Sequence, residues 1–233
     1  MTYGFYCENE SGFVQVDGTY DNFAVFASGT VQCGFTGGDT YEVAFPAGTP
    51  ADFIIFAKPT SESGVVRFTY GTQLVQSGSD PTFFFTQVYG QTGTFTVDWV
   101  IAVRSKDSST ASNPDVGFGI NVYKDDGELA YTSNNQAFRC SLATFLDYYN
   151  DSSSFTGVPL ASMAGVYTNM NGKSIVGRVQ ISSNQSAMYS IFAIFDYTNS
   201  EIGEEPLPLF VLPFGAGTVF GGGRKTSIWG TFK

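Results

Sequence analysis

Thr94-Phe95-Thr96-Val97-Asp98-Trp99-Val100-Ile101-Ala102-Val103 is the stretch that decides the fold. Its opening alternates polar and apolar residues with the period of two that sends successive side chains to opposite faces of a strand. It ends in an unbroken apolar run, Trp99 to Val103, as expected of a strand covered on both faces. Its β-branched and aromatic residues pack well on a pleated surface.

Working outward, the same pattern recurs in short pieces. Before this stretch the candidate strands are Ala24–Phe26, Val31–Phe35, Tyr41–Phe45, Phe53–Ala57, Val65–Tyr70, Gln73–Gln76 and Thr82–Gln87. After it come Gly165–Met170, Ser174–Ile181, Ala187–Tyr197 and a final Thr226–Phe232. Turn chemistry separates them: Gly37-Gly38-Asp39, Ser77-Gly78-Ser79-Asp80, Asn171-Gly172 and Ser182-Ser183-Asn184-Gln185. Glu201–Pro213 carries Pro206, Pro208 and Pro213, which suits an edge or connecting segment. Cys140–Tyr149 is the one helical expectation: Ser141 suits an N-cap, and Leu142, Phe145, Leu146 and Tyr149 have i, i+3, i+4, i+7 spacing. Across 233 residues there are 27 Gly, 23 Phe and 13 Tyr, with only 14% charged residues, a composition that favours strands joined by tight turns. The expected fold is all-β, an antiparallel sandwich or barrel-like arrangement with at most one short helix. Phe83-Phe84-Phe85 and Tyr148-Tyr149 put rings on both strand faces, which predicts burial against a second sheet or a partner subunit.

The polar run Ser105–Asp115 has no periodicity and ends Asn113-Pro114-Asp115, marks of a linker. The segment beyond this linker repeats the opening of the chain. Gly4–Val16 aligns without gaps on Gly119–Tyr131 at a constant shift of 115, and the match carries on to Phe23 against Phe138. Each copy reads as a β-hairpin with Gly12 or Gly127 in the turn. Phe5 and Cys7 would face Val14 and Val16 in the first hairpin; Ile120 and Val122 would face Leu129 and Tyr131 in the second. The expected organisation is therefore an internal duplication, with a sandwich-like domain at 1–104, a linker at 105–115 and a second sandwich-like domain at 116–233.

Several function classes fall away. The formal charge is −10, from 21 acidic and 11 basic residues, with no Lys/Arg cluster to meet a phosphate backbone or anionic lipid. No nucleic-acid partner and no membrane insertion are expected; no apolar run has bilayer-spanning length. The opening Met1-Thr2-Tyr3-Gly4 leads straight into alternation with no basic n-region, so synthesis in a cytoplasm without a cleaved signal is expected. The sequons at Asn9, Asn150 and Asn184 then meet no glycosylation system. Histidine is absent, which removes the Ser-His-Asp and Cys-His nucleophile systems and the usual general base. Cys7, Cys33 and Cys140 are too scattered for a zinc site or disulfide framework. Asp125-Asp126-Gly127 and Asp39 lack the rest of a calcium loop, and Gly221-Gly222-Gly223-Arg224-Lys225 lacks the spacing of a P-loop. Asp98 beside Trp99 is the best catalytic candidate, an acid next to a ring able to stack on sugar; the competing reading turns Asp98 to solvent and Trp99 to the core. Glu201, Glu204 and Glu205 read as a solvated acidic loop. The expectation is a non-enzyme with no cofactor and no metal.

Two motifs carry a resemblance. Tyr3-Gly4-Phe5, Asn9, Gly12, Val14, Val16 and Asp17, repeated as Gly119-Ile120, Val122, Gly127, Leu129, Tyr131 and Ser133, resemble the opening of a family of uncharacterised all-β proteins encoded among the tail genes of tailed bacteriophages. Thr92-Gly93-Thr94-Phe95-Thr96-Val97-Asp98-Trp99 is similar to a later strand of such proteins. The resemblance covers about a quarter of the chain, and Cys7 and Phe13 depart from its pattern. It implies a virion component at the tail tip, baseplate or fibre, forming a homo-oligomer, packed on other tail proteins, with a host-surface glycan or receptor as a further partner. It brings no catalytic residues. A lectin-like carbohydrate-binding module and a head decoration or capsid protein are the alternatives.

Overall fold

The computed structural model describes residues 6–8, 14–17, 22–33, 40–73, 81–87, 93–108, 120–134, 136, 138–147, 158–169, 177–182, 185–213, 219–220 and 224–232. The chain is all-β, with antiparallel sheets in a sandwich-like arrangement. The first half supplies β1 (Tyr6–Glu8), β2 (Val14–Asp17), β3 (Phe23–Cys33), β4 (Thr40–Ala44), β5 (Phe53–Pro59), β6 (Val65–Gln73), β7 (Thr82–Gln87) and β8 (Phe95–Arg104), followed by a 3-10 turn at Ser105–Asp107. The second half supplies β9 (Asn121–Tyr123), β10 (Leu129–Thr132), β11 (Phe138–Asp147), β12 (Val158–Pro159), β13 (Tyr167–Asn169), β14 (Gly177–Ser182), β15 (Gln185–Asp196), β16 (Glu201–Pro213), β17 (Val219–Phe220) and β18 (Arg224–Phe232).

Two sheets form the sandwich. One has six strands in the order β11-β18-β13-β5-β8-β3; the other has eight, running β12-β16-β15-β6-β7-β4 with β14 and β17 branching from β15. Between them lies one apolar core to which both halves contribute, including Ile55, Phe68, Phe83, Phe85, Trp99, Phe195 and Trp229. The expected division into a 1–104 sandwich and a 116–233 sandwich does not describe these sheets. Within residues 1–104, β5 and β6 are each left with an open side, and β13 and β15 of the second half fill it. A strand edge satisfies its N–H and C=O groups on whichever segment presents a matching edge, and here that segment lies across the linker. The first residues of that linker are themselves packed: Ser105 is buried and takes the Asn22 carbonyl through both its N–H and its hydroxyl.

Strand β8 is covered on both faces, as its sequence predicts. Val97, Trp99, Ile101 and Val103 enter the main core, while Val100 and Ala102 enter a second apolar cluster on the other face with Phe56, Phe138 and Phe232. The Phe56 ring lies 4.1 Å from that of Phe138 and 5.3 Å from that of Phe232. The six-stranded sheet curls around this cluster until its edge strands approach, and the Val25 N–H donates to the Gln136 carbonyl at 3.1 Å. The other sheet is also closed outwardly at its centre, where Phe192 and Ile194 are fully buried.

The duplicated hairpins exist, and their agreement is residue for residue. In the first, Tyr6 pairs with Asp17, Cys7 with Val16 and Glu8 with Val14; in the second, Asn121 pairs with Thr132, Val122 with Tyr131 and Tyr123 with Leu129. Every number moves by 115, and the bulge falls at the same place in both. The relation continues into the sheet edges. β3 pairs with β8 around a bulge between Val25 and Ala27, and β11 pairs with β18 around a bulge between Cys140 and Leu142. A bulge bends a strand and resets which face its side chains occupy, so its repetition marks a repeated structure rather than a repeated composition.

Three local expectations change. Cys140–Asp147 is not helical, since β11 runs as a strand from Phe138 to Asp147 paired along β18; Tyr148 and Tyr149 lie outside the described residues. So short a helix gains little without packing, whereas the β18 ladder satisfies the backbone along its length. Ala24–Phe26 and Val31–Cys33 are one strand through Gly29, where a Cβ would stand 2.5 Å from Trp99 Cζ2; Gly34 and Phe35 lie outside the described residues. Gly29 is there for the ring, not for a turn. Ile120 is exposed instead of buried, because β9 begins after it; Val122, Leu129 and Ala130 form the buried side of that hairpin. Gly127 closes its turn at φ 85°, a conformation that favours glycine. The prolines of β16 behave as edge residues: Pro206 and Pro208 pair with β15, while β12 covers only Glu201 and Ile202 on the other side.

Candidate functional site

The cross-strand register places Asp98 in a row with Thr30 on one side and Lys58 on the other. Because side chains alternate, Trp99 turns into the core, 8% exposed, and Asp98 turns outward on the opposite face of the six-stranded sheet. The acid and the ring that the sequence sets side by side are thus separated by the sheet itself. Thr30 Oγ1 and Thr60 Oγ1 each donate to Asp98 Oδ1 at 2.8 Å. Lys58 Nζ lies 3.3 Å from Asp98 Oδ2 and 3.6 Å from Glu62 Oε1. Burial works to raise the Asp98 carboxyl, but the two hydroxyls and the ammonium outweigh it and hold the group below its ordinary range.

The second half joins this network. Glu62 Oε1 accepts the Gly165 N–H at 2.9 Å, and the Lys58 ammonium stands 5.7 Å from the centre of the Tyr167 ring. Burial, then the charges of Asp98 and Glu62, push the Tyr167 phenol up. At neutral pH Asp98 is an ionised acceptor with its oxygens already engaged. A general acid for glycoside cleavage needs a raised pKa and a second carboxylate across a cleft, whereas Asp98 and Glu62 share one ammonium. The arrangement ties β3, β5 and β8 to the loop before β13.

Sequence alone does not point to Lys58, Thr60, Glu62 or Tyr167 as members of this site. Each is ordinary in its own segment, and only register brings them to Asp98. Glu201, Glu204 and Glu205 do not form a solvated loop: they lie on β16, where Glu204 stands opposite Ala193 and is buried. Asp126 caps its turn by accepting the Glu128 N–H at 2.9 Å. Cys33 is a buried thiol whose pKa burial pushes up to about 12, so it is not a nucleophile at neutral pH. Among the described residues no group of His, Cys, Asp and Glu has the makings of a metal site. Cys7, Cys140, Asn150, the Asn171-Gly172 turn and Gly221–Gly223 fall where side chains or backbone lie outside the described residues.

A surface recess of about 400 Å³ opens between Phe45, Phe53, Pro46, Pro50 and Pro81. Thr49 is its one polar side chain, and that hydroxyl already donates to the Pro46 carbonyl at 2.7 Å. No titratable group lines it. Comparison of the chain with models of protein families, with curated proteins and with solved structures finds no match in any of the three.

Proposed function

We propose that this chain is a structural component of a bacteriophage tail that works through its surfaces, assembling with itself and with tail neighbours, and that it is not an enzyme. The observation that carries the reading is the repeated opening hairpin, the unit through which the sequence resembles tail-gene proteins. Supporting it are the absence of histidine and the engagement of Asp98 in a strand-tying network. Among the described residues both tryptophans and six phenylalanines are buried in the β framework, which suits a part that is assembled once and bears load. The lectin-like alternative needs an exposed aromatic platform; both tryptophans are buried, and Tyr123 is the large exposed ring among the described residues.

Electron microscopy of the producing particle, with this protein tagged, tests the reading. Label at the tail tip, baseplate or fibre supports it. Label on the head moves the chain to the decoration proteins, and particles without label overturn the virion assignment. Light scattering of the purified chain is the companion measurement, with an oligomer expected.

A further inference from the structure

The two halves meet in like places. From one edge of the six-stranded sheet the order reads β3-β8-β5, and from the other β11-β18-β13; in the eight-stranded sheet the orders are β4-β7-β6 and β12-β16-β15. With β14 and β17 set aside as additions, the second half reproduces the first strand for strand, in the same chain order and the same layer. The innermost strands then join as equals, β5 antiparallel to β13 and β6 antiparallel to β15. Like edges that meet antiparallel are related by a half-turn, the geometry of a symmetric dimer, in which one surface fits itself.

We propose that this seam is a dimer interface between two copies of one six-strand unit, now held in a single chain, and that the partner it fits is a further copy of that unit. The seam has the make-up of an interface able to hold without the linker. Phe68 of the first half and Phe195 of the second stack across it, with centroids 5.9 Å apart and planes 8° from parallel. The Glu62–Gly165 and Tyr197–Gly64 hydrogen bonds, both 2.9 Å, cross it at one end of the sandwich. Two backbone ladders bridge it, one in each layer. A half without its mate would present β5 and β6 as open edges, which proteins cover or pair.

The test inserts a protease site between residues 109 and 115 of the full chain and cuts the folded protein. The two fragments are expected to stay together as one species by light scattering; two separate folded species would overturn the proposal. The nicked protein, tagged on its first half, is then unfolded in urea and refolded with an equal amount of untagged first half. Capture of first half by first half within about tenfold of its capture of second half is expected; weaker capture shows that the seam tells the halves apart and removes the idea. Should the insertion itself prevent folding, hydrogen exchange on the unaltered chain decides. The β5 and β6 amides at the seam are expected to exchange within about tenfold of those in β8, and faster exchange there overturns the proposal.

Discussion

The two halves share a backbone plan and differ in how they fill it. Opposite Ala27 in the first half stands Ile101; at the equivalent place in the second, Leu142 faces Trp229. The first half carries its tryptophan two residues earlier, at Trp99, opposite Gly29. The position equivalent to Gly29 is Thr144, opposite Ser227. The same ladder, bulge included, thus carries its tryptophan at either of two alternate positions, opposite a glycine in one half and a leucine in the other. Backbone pairing is made by N–H and C=O groups, so register can persist while the side chains on it change. The second half also adds β14 and β17, which enlarge only the eight-stranded sheet. The halves therefore share register and differ in the residues placed on it.

The largest effect is expected where the shared core is emptied. Trp229 is fully buried, and Trp229→Ala should cost about 3–5 kcal/mol, read as a lowered denaturant midpoint. Because both halves line one core, the loss should shift a single unfolding transition. Two separated transitions would show that the halves unfold apart and would break the comparison.

Next comes the place where the halves differ most. Gly29→Ala sets a Cβ 2.5 Å from Trp99 Cζ2 and should destabilise by about 1–3 kcal/mol. Combining it with Trp99→Leu should recover part of the loss, since the clash needs both partners. No coupling between the two in a double-mutant cycle would sink the account of Gly29.

A smaller change tests the polar ties. Asp98→Ala leaves Lys58, whose side chain is 13% exposed, with Glu62 as its remaining carboxylate, and should cost about 1–2 kcal/mol. The pH dependence has a defined sign. The carboxyls of Asp98 and Asp196 are held below their unfolded values, Asp98 against its burial and Asp196 by the side-chain amide and N–H of Asn199. Folding therefore draws stability from both above the ordinary carboxylate range, and loses it as pH falls through their folded values. Melting temperature should drop on acidification, and less steeply in a variant carrying Asp98→Asn and Asp196→Asn.

The smallest effect is expected where the second hairpin seats on the first half. Lys106 Nζ lies 2.7 Å from Glu128 Oε1 in a partly exposed pair. Glu128→Ala should cost less than about 1 kcal/mol, shrinking further in high salt. A larger, salt-independent loss would mean that the charge, and not the apolar side made by Val122, Leu129 and Ala130, holds this hairpin.

Much of this was legible in the residues. The alternation of Thr94–Val103 announced both the strand and its two-sided burial, and Thr82–Gln87 matched its strand to the residue. The hairpin repeat was legible because a glycine turn and a period of two are local properties. The helix expected at Cys140–Tyr149 failed because its spacing is local too, while the strand that claims it, β18, lies more than seventy residues on. The candidate site was half legible. Asp98 stands out in the sequence, but its ring neighbour in sequence is its opposite in space, and its true companions come from three other segments, at Thr30, at Lys58 to Glu62 and at Tyr167.

The sequence by itself determined the strand content, the turns, the duplicated opening and the missing histidine chemistry, since each comes from residue type and short-range period. Only the tertiary structure decided that the two halves share their sheets and their core. An open strand edge has no preference written in its residues for a near or a distant mate. The pairing of β5 with β13 and β6 with β15 arises when the whole chain closes its edges and its core together.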